Sequence, residues 1–587
     1  MKRLLIANRG EIALRVMRSA RELGLATIAV YSEADRDALH VAYADEAYLL
    51  GPAAPAASYL SIERILAVAA QSNADAIHPG YGFLAENAGF ARAVTAAGLL
   101  WVGPHAEAIE AMGDKLRARA AMVAAGVPVV PGATSPLASG AEALAAADLY
   151  GLPLAIKASG GGGGKGLKVA RTRDELVSAF SLARREAEAY FKDPTVYAER
   201  YLENPKHVEL QVLADKHGGV VHVGERDCSL QRRHQKLLEE TPALVSESVR
   251  ERLREAGIRA ARAIAYDSVG TIETLVCGDE FFFLEMNTRI QVEHTISEMT
   301  SGLDLVREQL RVAADEPLGY GQAAIVLRGH AIEARINAEE PARGFAPAPG
   351  TIARYREPAG FGVRVDSAAS AGTAIGADYD SLVAKLIVWA PDRPQALARM
   401  RRALDDYVVA GVPTTIPFLR ALLDEPSVAA GTYGTATLES FAESWSPAEA
   451  AQPMAAGGSS NGAPDAIRVE VDGRLHTVRL LDLPALGASD SPRALAKAPS
   501  RRPPKAAART QAAGGGDEIV APIHGLIVEI AVKAGDRVES GAVIATIEAM
   551  KMMNEIRAHR AGTIRAVHAG AGTTIEPGAP LVSFEPA

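Results

Sequence analysis

Residues 281–294 of the chain are FFFLEMNTRIQVEH, and this segment carries the densest set of chemically useful side chains. After the phenylalanines, every second residue is polar: Glu285, Asn287, Arg289, Gln291 and Glu293. Successive side chains of an extended backbone point to opposite faces, so we expect these five to share one face. A solvated strand face is the ordinary alternative. Three phenylalanines directly before the polar residues favour a buried strand, and we therefore predict a site on this face.

The residue types on that face indicate a nucleotide–metal site. Glu285 and Asn287, joined by Glu273 from a neighbouring predicted strand, supply the hard oxygen ligands that suit Mg²⁺ beside nucleotide phosphates. Arg289 can hold a small anion through two parallel hydrogen bonds, and Glu293 is then placed to act as a base.

A glycine-rich segment, SGGGGGKG at 159–166, follows an apolar strand pattern at 154–157. Glycine permits positive φ and close backbone approach, so successive N–H groups can surround a phosphate. It is not a P-loop, because no Ser or Thr follows its lysine and no helix pattern begins there. A flexible linker is the alternative, but a linker rarely interrupts a strand-rich core. Lys157 and Lys115 then become candidate counter-charges for ATP.

Composition narrows the class of protein. The chain has 587 residues, 48% of them hydrophobic and 23% charged, which is typical of a multidomain globular protein. A net charge of −9 argues against a nucleic-acid-binding role. The two cysteines, Cys228 and Cys277, exclude a disulfide scaffold and suit a reducing cytoplasm. No apolar run reaches the roughly 18 residues of a membrane span, and the N-terminal apolar stretch is too short for a secretory signal. We expect a cytoplasmic protein without a membrane or nucleic-acid partner.

Pattern changes along the chain predict its organisation. Strand and helix patterns alternate from residue 3 to about 110, which predicts a mostly parallel sheet flanked by helices. Residues 446–466 are rich in Pro, Ala, Gly, Ser and Asn, and a hairpin pattern with an Asp-Gly turn follows at 467–480. Residues 485–516 contain almost only Ala, Pro, Ser, Gly and basic residues, so we expect a flexible linker.

The tail contains an internal repeat. Seven apolar or glycine positions from Gly525 to Ile544 recur 37 residues later, from Gly562 to Leu581. Two copies of one strand–turn–strand unit predict a pseudo-twofold β-sandwich or flattened barrel. Between the copies, at a predicted hairpin tip, lies Lys551 among methionines. A purely structural turn would favour Gly, Asn or Asp there, so we expect this lysine to have a role beyond the turn itself.

These segments together resemble biotin-dependent carboxylases. The motifs that match, in the order of that family, are IANRGEIALR, HPGYGFLAEN, KASGGGGGKG, ERDCSLQRRHQK, EMNTRIQVEH, RGHAIEARINAE and EAMKM. The resemblance implies an α/β biotin carboxylase of the ATP-grasp fold, then a flexible linker and a small all-β biotinyl/lipoyl-like carrier domain. A carboxylase and a carrier without a carboxyltransferase on one chain resemble the alpha subunit of an acyl-CoA carboxylase, especially the actinobacterial acetyl/propionyl type.

The resemblance also implies domain boundaries. They are an N-terminal pre-ATP-grasp domain at 1–113, an ATP-grasp domain at 114–329 with a lid subdomain at about 131–203, a biotin carboxylase C-terminal domain at 330–445, a connecting segment at 446–484, the linker at 485–516 and the biotinyl carrier domain at 517–587. The hairpin in the connecting segment is, by position, a candidate docking element for a beta subunit.

Each residue that matches a motif acquires an implied role. The implied ATP-binding residues are Lys115, Lys157, Gly163, Gly164, Glu199, Arg200, Tyr201, Leu202, His207, Gln231 and His234. Glu273, Glu285 and Asn287 would hold two Mg²⁺ or Mn²⁺ ions. Lys236, Arg289, Gln291 and Val292 would surround bicarbonate, with Glu293 as its general base. Arg335 would stabilise the biotin enolate, and Lys551 would carry biotin.

The implied activity is ATP-dependent carboxylation of carrier-bound biotin by bicarbonate. Carboxybiotin would then serve a separate carboxyltransferase beta subunit that acts on a short-chain acyl-CoA, in a hetero-oligomer, and a biotin protein ligase would modify Lys551. Which acyl-CoA is carboxylated is left open, and methylcrotonyl-type substrates stay possible.

The chain departs from the family pattern at a few positions. Thr295 follows His294 where Pro is usual, Ala85 replaces a common Ser, and His524 interrupts the usual APMPG motif. Met553 stands where Glu is common after the second methionine, which bears on recognition by the ligase. None of these departures removes a proposed catalytic side chain.

Two other functions remain open on the sequence. One is an ATP-grasp ligase with a different acceptor and a lipoyl-type tail, which the methionines beside Lys551 disfavour. The other is a catalytically silent scaffold that presents a carrier domain. Retention of all the charged residues at 285–293 speaks against the scaffold.

Overall fold

The structure is a computed structural model that describes residues 1–160, 166–232, 235–447, 467–471, 474–478, 517–522, 525–549, 552–576 and 578–585. Four predicted site residues, Gly163, Gly164, His234 and Lys551, lie outside these ranges, as does the predicted linker at 485–516. Within the described ranges, no helix combines the length and apolarity that a membrane crossing requires. Residues 1–447 are called the body below, and residues 517–585 the carrier.

The body begins with a five-stranded, fully parallel sheet in the order β3-β2-β1-β4-β5. Leu4, Leu5 and Ile6 are fully buried because helices cover both faces of the sheet, which confirms the predicted architecture. The elements are β1 Arg3–Ile6, α1 Gly10–Glu22, β2 Ala26–Ser32, α2 Leu39–Tyr43, β3 Glu46–Gly51, α3 Ile62–Gln71, β4 Ala76–His78, α4 Ala88–Ala96, β5 Leu100–Trp101 and α5 Ala106–Gly113.

A small subdomain with its own apolar core follows. Its three antiparallel strands have the order β7-β6-β8, and two helices cover them. The strand β7 follows the glycine-rich segment, which agrees with the sequence observation that no helix begins there. Helix α6, Lys115–Ala124, precedes the subdomain and packs in another core. The elements of the subdomain are α7 Gly140–Tyr150, β6 Leu154–Ala158, β7 Leu167–Ala170, α8 Leu176–Phe191 and β8 Val196–Arg200.

The centre of the body is an eight-stranded antiparallel sheet in the order β13-β12-β9-β10-β11-β14-β21-β19. Its first part comprises β9 Lys206–Ala214, β10 Val220–Arg232, β11 Gln235–Thr241, α9 Glu247–Ala263, β12 Val269–Cys277, β13 Glu280–Asn287, α10 His294–Ser301, α11 Leu305–Ala313 and β14 His330–Asn337. Because β11 pairs with β14, this sheet continues across residue 330, where the sequence resemblance implies a domain boundary.

The rest of the body completes that sheet and packs helices against it. Its elements are β15 Glu339–Glu340, β16 Ala346–Pro347, β17 Gly350–Thr351, β18 Arg354–Arg356, β19 Val363–Ser367, β20 Ala374–Ile375, β21 Leu382–Ala390, α12 Arg393–Asp406, β22 Val408–Ala410, α13 Ile416–Leu422, α14 Pro426–Ala430 and α15 Thr437–Ser444. One apolar core joins these helices to β11, β14 and β21, so the sheet and the C-terminal helices pack as one unit.

The segment at 281–294 is not extended throughout, which corrects the expectation of a single strand. The strand β13 ends at Asn287, and α10 begins at His294 after a bend and a turn. Between them, Ile290 is fully buried in the core that the N-terminal sheet shares with the central sheet. Burial of Ile290 draws the chain away from the sheet edge, so polar side chains converge through a turn and not through strict two-residue alternation.

The carrier confirms the internal repeat. Its two four-stranded sheets, β25-β32-β30-β27 and β29-β28-β26-β31, are related by the predicted offset. The hairpin pattern in the connecting segment is confirmed too, because β23 and β24 pair antiparallel. The strands are β23 Ile467–Val471, β24 Arg474–Val478, β25 Glu518–Val520, β26 Gly525–Ile530, β27 Arg537–Val538, β28 Val543–Ala549, β29 Met552–Arg557, β30 Gly562–Val567, β31 Thr574–Ile575 and β32 Pro580–Phe584.

A buried carboxylate, Glu240 on β11, ties the central sheet to the C-terminal helices. Its oxygens lie 2.5 Å from His330 Nε2 and 2.7 Å from Arg393 Nε, and the Tyr433 hydroxyl donates to it as well. Burial alone would raise the pKa of Glu240, but His330 and Arg393 outweigh burial and lower the pKa to about 2. The ionised carboxylate therefore stabilises the folded body.

We predict that Glu240→Gln lowers the free energy of unfolding of the body by about 3 kcal/mol at neutral pH. Because the folded pKa lies below the ordinary value, this contribution is present above about pH 4.5 and is lost as the pH falls toward 2. Urea unfolding followed by tryptophan fluorescence measures it, since Trp101, Trp389 and Trp445 all lie in the body. The exposed Glu443→Gln is the control, and equal stability of the two variants would contradict the prediction.

Candidate active site

The candidate site lies on one face of the central sheet. On β9, His207, Glu209 and Gln211 alternate with apolar residues that pack in the core beneath α9. This two-residue alternation turns all three polar side chains to the opposite face. The adjacent strand β12 places Glu273 against His207, and β11, two strands away on the other side, places Lys236 against Glu209.

Lys236, on β11, binds three carboxylates at once. Its Nζ lies 2.5 Å from Glu209 Oε2, 2.6 Å from Glu293 Oε1 and 3.0 Å from Glu273 Oε1. Burial alone would lower the pKa of Lys236, but the charge of Glu209, then those of Glu273 and Glu293, raises it well above its ordinary value. Lys236 is therefore a permanent cation at the centre of the site.

Glu293 lies between two cations. Its second oxygen accepts a hydrogen bond from Arg335 Nη2 at 2.9 Å, and Arg335 Nε donates to Glu239 at 2.6 Å. Burial alone would raise the pKa of Glu293, but Lys236 and then Arg335 hold it well below the ordinary range. Glu293 is thus ionised at neutral pH, which a proton acceptor requires.

Two important residues were missed by the sequence reasoning, Arg226 and Glu209. Arg226 is fully buried and donates to Glu209 Oε1 at 2.6 Å, to Gln211 Oε1 at 2.6 Å and to Gln291 Oε1 at 2.5 Å. Arg226 therefore holds Glu209 and Gln211 of β9 together with Gln291, which lies in the turn after β13. The alternation of 207, 209 and 211 could have identified Glu209, whereas the charge cluster around Arg226 is ambiguous in sequence.

The predicted metal ligands come together. Asn287 Nδ2 lies 2.7 Å from Glu273 Oε1, and Glu285 stands directly opposite Glu273 in the pairing of β12 with β13. Burial, and next the charge of Glu273, raises the pKa of Glu285, while Lys115 opposes the increase. The buried Glu273 and Asn287 and the half-buried Glu285 therefore lie in one region of the sheet.

Arg289, Gln291 and Val292 lie around the same region with different partners. Gln291 Nε2 donates to Glu273 Oε1 at 2.8 Å. Arg289 Nη2 donates to Asn287 Oδ1 at 2.8 Å, while its Nε donates to Glu86 in the N-terminal unit at 2.9 Å. The carbonyl of Val292 faces away from these groups toward a buried lysine, Lys385.

The predicted ATP ligands fall into two groups. Near Glu273, His207 Nε2 lies 3.0 Å from Glu273 Oε2, and Gln231 Nε2 lies 3.5 Å from His207 Nδ1. Burial alone would lower the pKa of His207, but Glu273 raises it overall. Near the glycine-rich segment, Lys157 pairs with the buried Glu199.

The remaining predicted ATP ligands adjoin this second group. Lys115 donates its backbone N–H to Ser159 O at 3.1 Å, which places it at the start of the glycine-rich segment. Burial lowers the pKa of Lys115, and Glu285 opposes the decrease. Arg200 is exposed at the end of β8, and Tyr201 and Leu202, both half-buried, follow it. Lys551 lies outside the described residues, but the two strands on either side of it, β28 and β29, pair with each other. In that pairing Ala549 is opposite Met552.

Comparison with protein families covers most of the chain. Residues 1–109 match the model "Biotin carboxylase, N-terminal domain", and residues 333–440 match "Biotin carboxylase C-terminal domain". Residues 114–320 match "Carbamoyl-phosphate synthase L chain, ATP binding domain", and residues 517–584 match "Biotin-requiring enzyme". The fold and site therefore define an ATP-using ligase that carries its own biotin-type domain.

Individual relatives agree. The chain is 51% identical to a pyruvate carboxylase subunit of Methanothermobacter thermautotrophicus, over 75% of this chain and 90% of that protein. It is 44% identical to the biotin-dependent acyl-coenzyme A carboxylase alpha3 subunit of Mycobacterium leprae, over 99% of this chain and 98% of that protein. The biotin carboxylase domain of Hydrogenobacter thermophilus 2-oxoglutarate carboxylase, solved with MgADP, ADP and bicarbonate, superposes with a TM-score of 0.72 at 49% identity, covering 75% of this chain and 97% of that one.

The chain belongs to the biotin carboxylase family and carries a biotin carrier domain. It is an ATP-dependent ligase whose reaction is the carboxylation of biotin.

We predict that Arg226→Met lowers kcat/KM for bicarbonate-dependent ATP cleavage about 10- to 100-fold, as loss of a supporting hydrogen-bond partner commonly does. Methionine fills much of the volume but removes the hydrogen bonds that Arg226 donates to Glu209 Oε1 and Gln291 Oε1. The control is Arg254→Met, because Arg254 pairs with Glu225 away from these groups at 2.8 Å. Equal activity of the two variants would contradict the assignment.

Proposed function

We propose that this chain is the alpha subunit of an acyl-CoA carboxylase. It carboxylates biotin on its own carrier, and a separate carboxyltransferase beta subunit then passes the carboxyl group to a short-chain acyl-CoA, acetyl-CoA or propionyl-CoA. The two subunits form a hetero-oligomer. The domain boundaries predicted from the sequence, with the hairpin of β23 and β24 as a docking element, are part of the proposal.

The main support for this proposal is sequence similarity to an acyl-CoA carboxylase alpha subunit over the whole length of the chain. The acyl-coenzyme A carboxylase alpha3 subunit of M. leprae is similar across 99% of this chain, including the connecting segment and the carrier. The pyruvate carboxylase subunit of M. thermautotrophicus is more identical but matches only 75% of the chain. In the proposed reaction, the molecule that finally receives the carboxyl group binds to the carboxyltransferase and not to the body. Sequence similarity of the body alone therefore does not distinguish between acyl-CoA, pyruvate and 2-oxoglutarate as acceptors.

The site supports a role for Glu293 as the general base toward bicarbonate. Glu293 is ionised between Lys236 and Arg335, and Gln291 and Val292 precede it in the same turn. A bicarbonate ion beside Lys236 competes with Glu293 for that ammonium, so its arrival raises the pKa of Glu293 as the proton is transferred. The deprotonated oxygen then attacks the γ-phosphate of ATP, giving carboxyphosphate and ADP.

The residues at the edge of the site fit ATP and a divalent cation. Glu273, Glu285 and Asn287 offer carboxylate and amide oxygens, the ligands that Mg²⁺ and Mn²⁺ prefer. Burial and then the charge of Glu273 raise the pKa of Glu285, and a cation there would offset the repulsion between the two carboxylates. When bound, it would neutralise phosphate charge during transfer. Lys115 and Lys157 lie at the start of the glycine-rich segment, where they are candidate counter-charges for the phosphates of ATP.

Arg335 supports the second half of the reaction. Its guanidinium lies against Glu293 and Glu239, so it reaches the position where bicarbonate reacts. We assign to it the stabilisation of the enolate that the biotin ureido group forms. Biotin attachment is assigned to Lys551, and a biotin protein ligase must recognise the hairpin of β28 and β29 to form the amide bond.

We predict that Glu293→Gln lowers bicarbonate-dependent ADP release, measured with free biotin as acceptor, about 10²- to 10⁴-fold, because the amide cannot accept a proton. The matched control is Lys551→Arg in the same full-length chain. It should lose streptavidin labelling but keep turnover with free biotin. Normal activity in Glu293→Gln would remove Glu293 from the mechanism.

We predict that the chain, copurified with its beta subunit, transfers ¹⁴C from bicarbonate to acetyl-CoA or propionyl-CoA. The panel also contains methylcrotonyl-CoA, pyruvate and 2-oxoglutarate. Lys551→Arg is the control, because transfer depends on carrier-bound biotin. Labelling of pyruvate or 2-oxoglutarate, with none of the acyl-CoA substrates labelled, would overturn the proposed acceptor while leaving biotin carboxylation intact.

A further inference from the structure

A fully buried lysine, Lys385 on β21, lies directly behind the turn that carries Glu293. Its Nζ donates to the backbone carbonyl of Val292 at 3.0 Å. It also lies 3.2 Å from Glu11 Oε2 on α1 and 3.9 Å from Asp366 Oδ2 on β19. Lys385 thus joins the N-terminal unit, the C-terminal strands and the catalytic turn at one point.

Burial of this ammonium requires compensation, because an unpaired charge inside a protein is costly. Glu11 and Asp366 supply opposite charge, and both are nearly inaccessible to solvent. The Val292 carbonyl is the neutral partner. Since the two carboxylates are held by separate elements, the ammonium has little freedom, and it fixes the carbonyl in turn.

Two sequence motifs without an assigned role meet at this lysine. Glu11 belongs to IANRGEIALR, and Tyr81, from HPGYGFLAEN, donates its hydroxyl to the other oxygen of Glu11. Burial raises the pKa of Glu11, while Lys385 opposes the increase. The arrangement connects the N-terminal sheet to the turn without direct contact with Glu293.

The turn needs such support because it lies outside the sheet. Residues 288–293 follow the end of β13 and precede α10, so no strand pairing holds them. Within the turn, His294 Nδ1 lies 2.7 Å from Gln291 O. The peptide group between Val292 and Glu293 is planar, so anchoring its carbonyl on Lys385 fixes the backbone from which the Glu293 side chain projects.

We propose that Lys385, with Glu11 as its counter-ion, is a positioning residue that orients the 291–293 turn for bicarbonate. The proposal rests on the proposed role of Glu293 and Val292 at the bicarbonate site. Lys385 touches no substrate. Its removal should therefore weaken productive binding of bicarbonate and leave the nucleotide end of the site unchanged.

The test uses Lys385→Met in the full-length chain, since methionine keeps an unbranched apolar stem and removes the charge. We expect the KM for bicarbonate to rise about 10- to 100-fold, while the KM for ATP stays within about twofold of the parent. The control is Lys216→Met, because exposed Lys216 donates to another backbone carbonyl, Ala313 O, at 3.2 Å. A bicarbonate KM within about twofold of the parent would overturn the proposal, and so would equal increases in both KM values.

If Lys385→Met does not fold, a second variant, Glu11→Gln, tests the same proposal. Glu11→Gln keeps the ammonium and removes its closest counter-charge, so it should raise the bicarbonate KM in the same direction by a smaller factor. An unchanged bicarbonate KM in folded Glu11→Gln would count against the proposal. Failure of the proposed base is recognised separately, because Glu293→Gln would then keep normal turnover while Lys385→Met did not.

Discussion

The site depends on one interaction, the contact of the Lys236 ammonium with three carboxylates from different elements. Glu209, Glu273 and Glu293 would repel one another in the low dielectric of the interior without a cation among them. Each carboxylate has a second partner, so the arrangement extends to Arg226, Arg335 and His207. The charges are therefore in place before any substrate binds, and little reorganisation is needed when new negative charge develops.

The charged site around Lys236 serves the carboxylation of biotin, which does not depend on the molecule that finally receives the carboxyl group. Relatives named for pyruvate, 2-oxoglutarate and acyl-CoA carboxylation are 44 to 51% identical to this chain over the segments that they match. A body that makes only a carboxylated carrier has no need to recognise the final acceptor. Under the proposed function, the carrier presents its lysine to the body and then to a separate carboxyltransferase. A compact unit of two short, four-stranded sheets suits that task.

Repeating patterns of apolar residues predicted the fold well, because their spacing follows from the local geometry of helices and strands. The parallel N-terminal sheet follows from alternating strand and helix patterns, and the doubled carrier follows from its repeat. The site was predicted only in part. Glu285 and Asn287 lie on β13 as expected, but Glu293 reaches Lys236 through a turn that no period describes. Arg226 was missed since its partners, Glu209 and Gln291, are distant in sequence and meet only in the folded sheet.

One departure from the family pattern has a physical explanation in the first turn of α10. Thr295 stands where proline is usual, and the first four N–H groups of a helix lack intrahelical partners, so either residue fits there without loss of a backbone hydrogen bond. Threonine adds a hydroxyl that donates to the buried Glu333. Burial, and then the nearby Glu239, raises the pKa of Glu333 well above its ordinary value. The substitution thus exchanges the rigidity of proline for a hydrogen bond to a buried polar group, in the helix that directly follows the turn of residues 288–293.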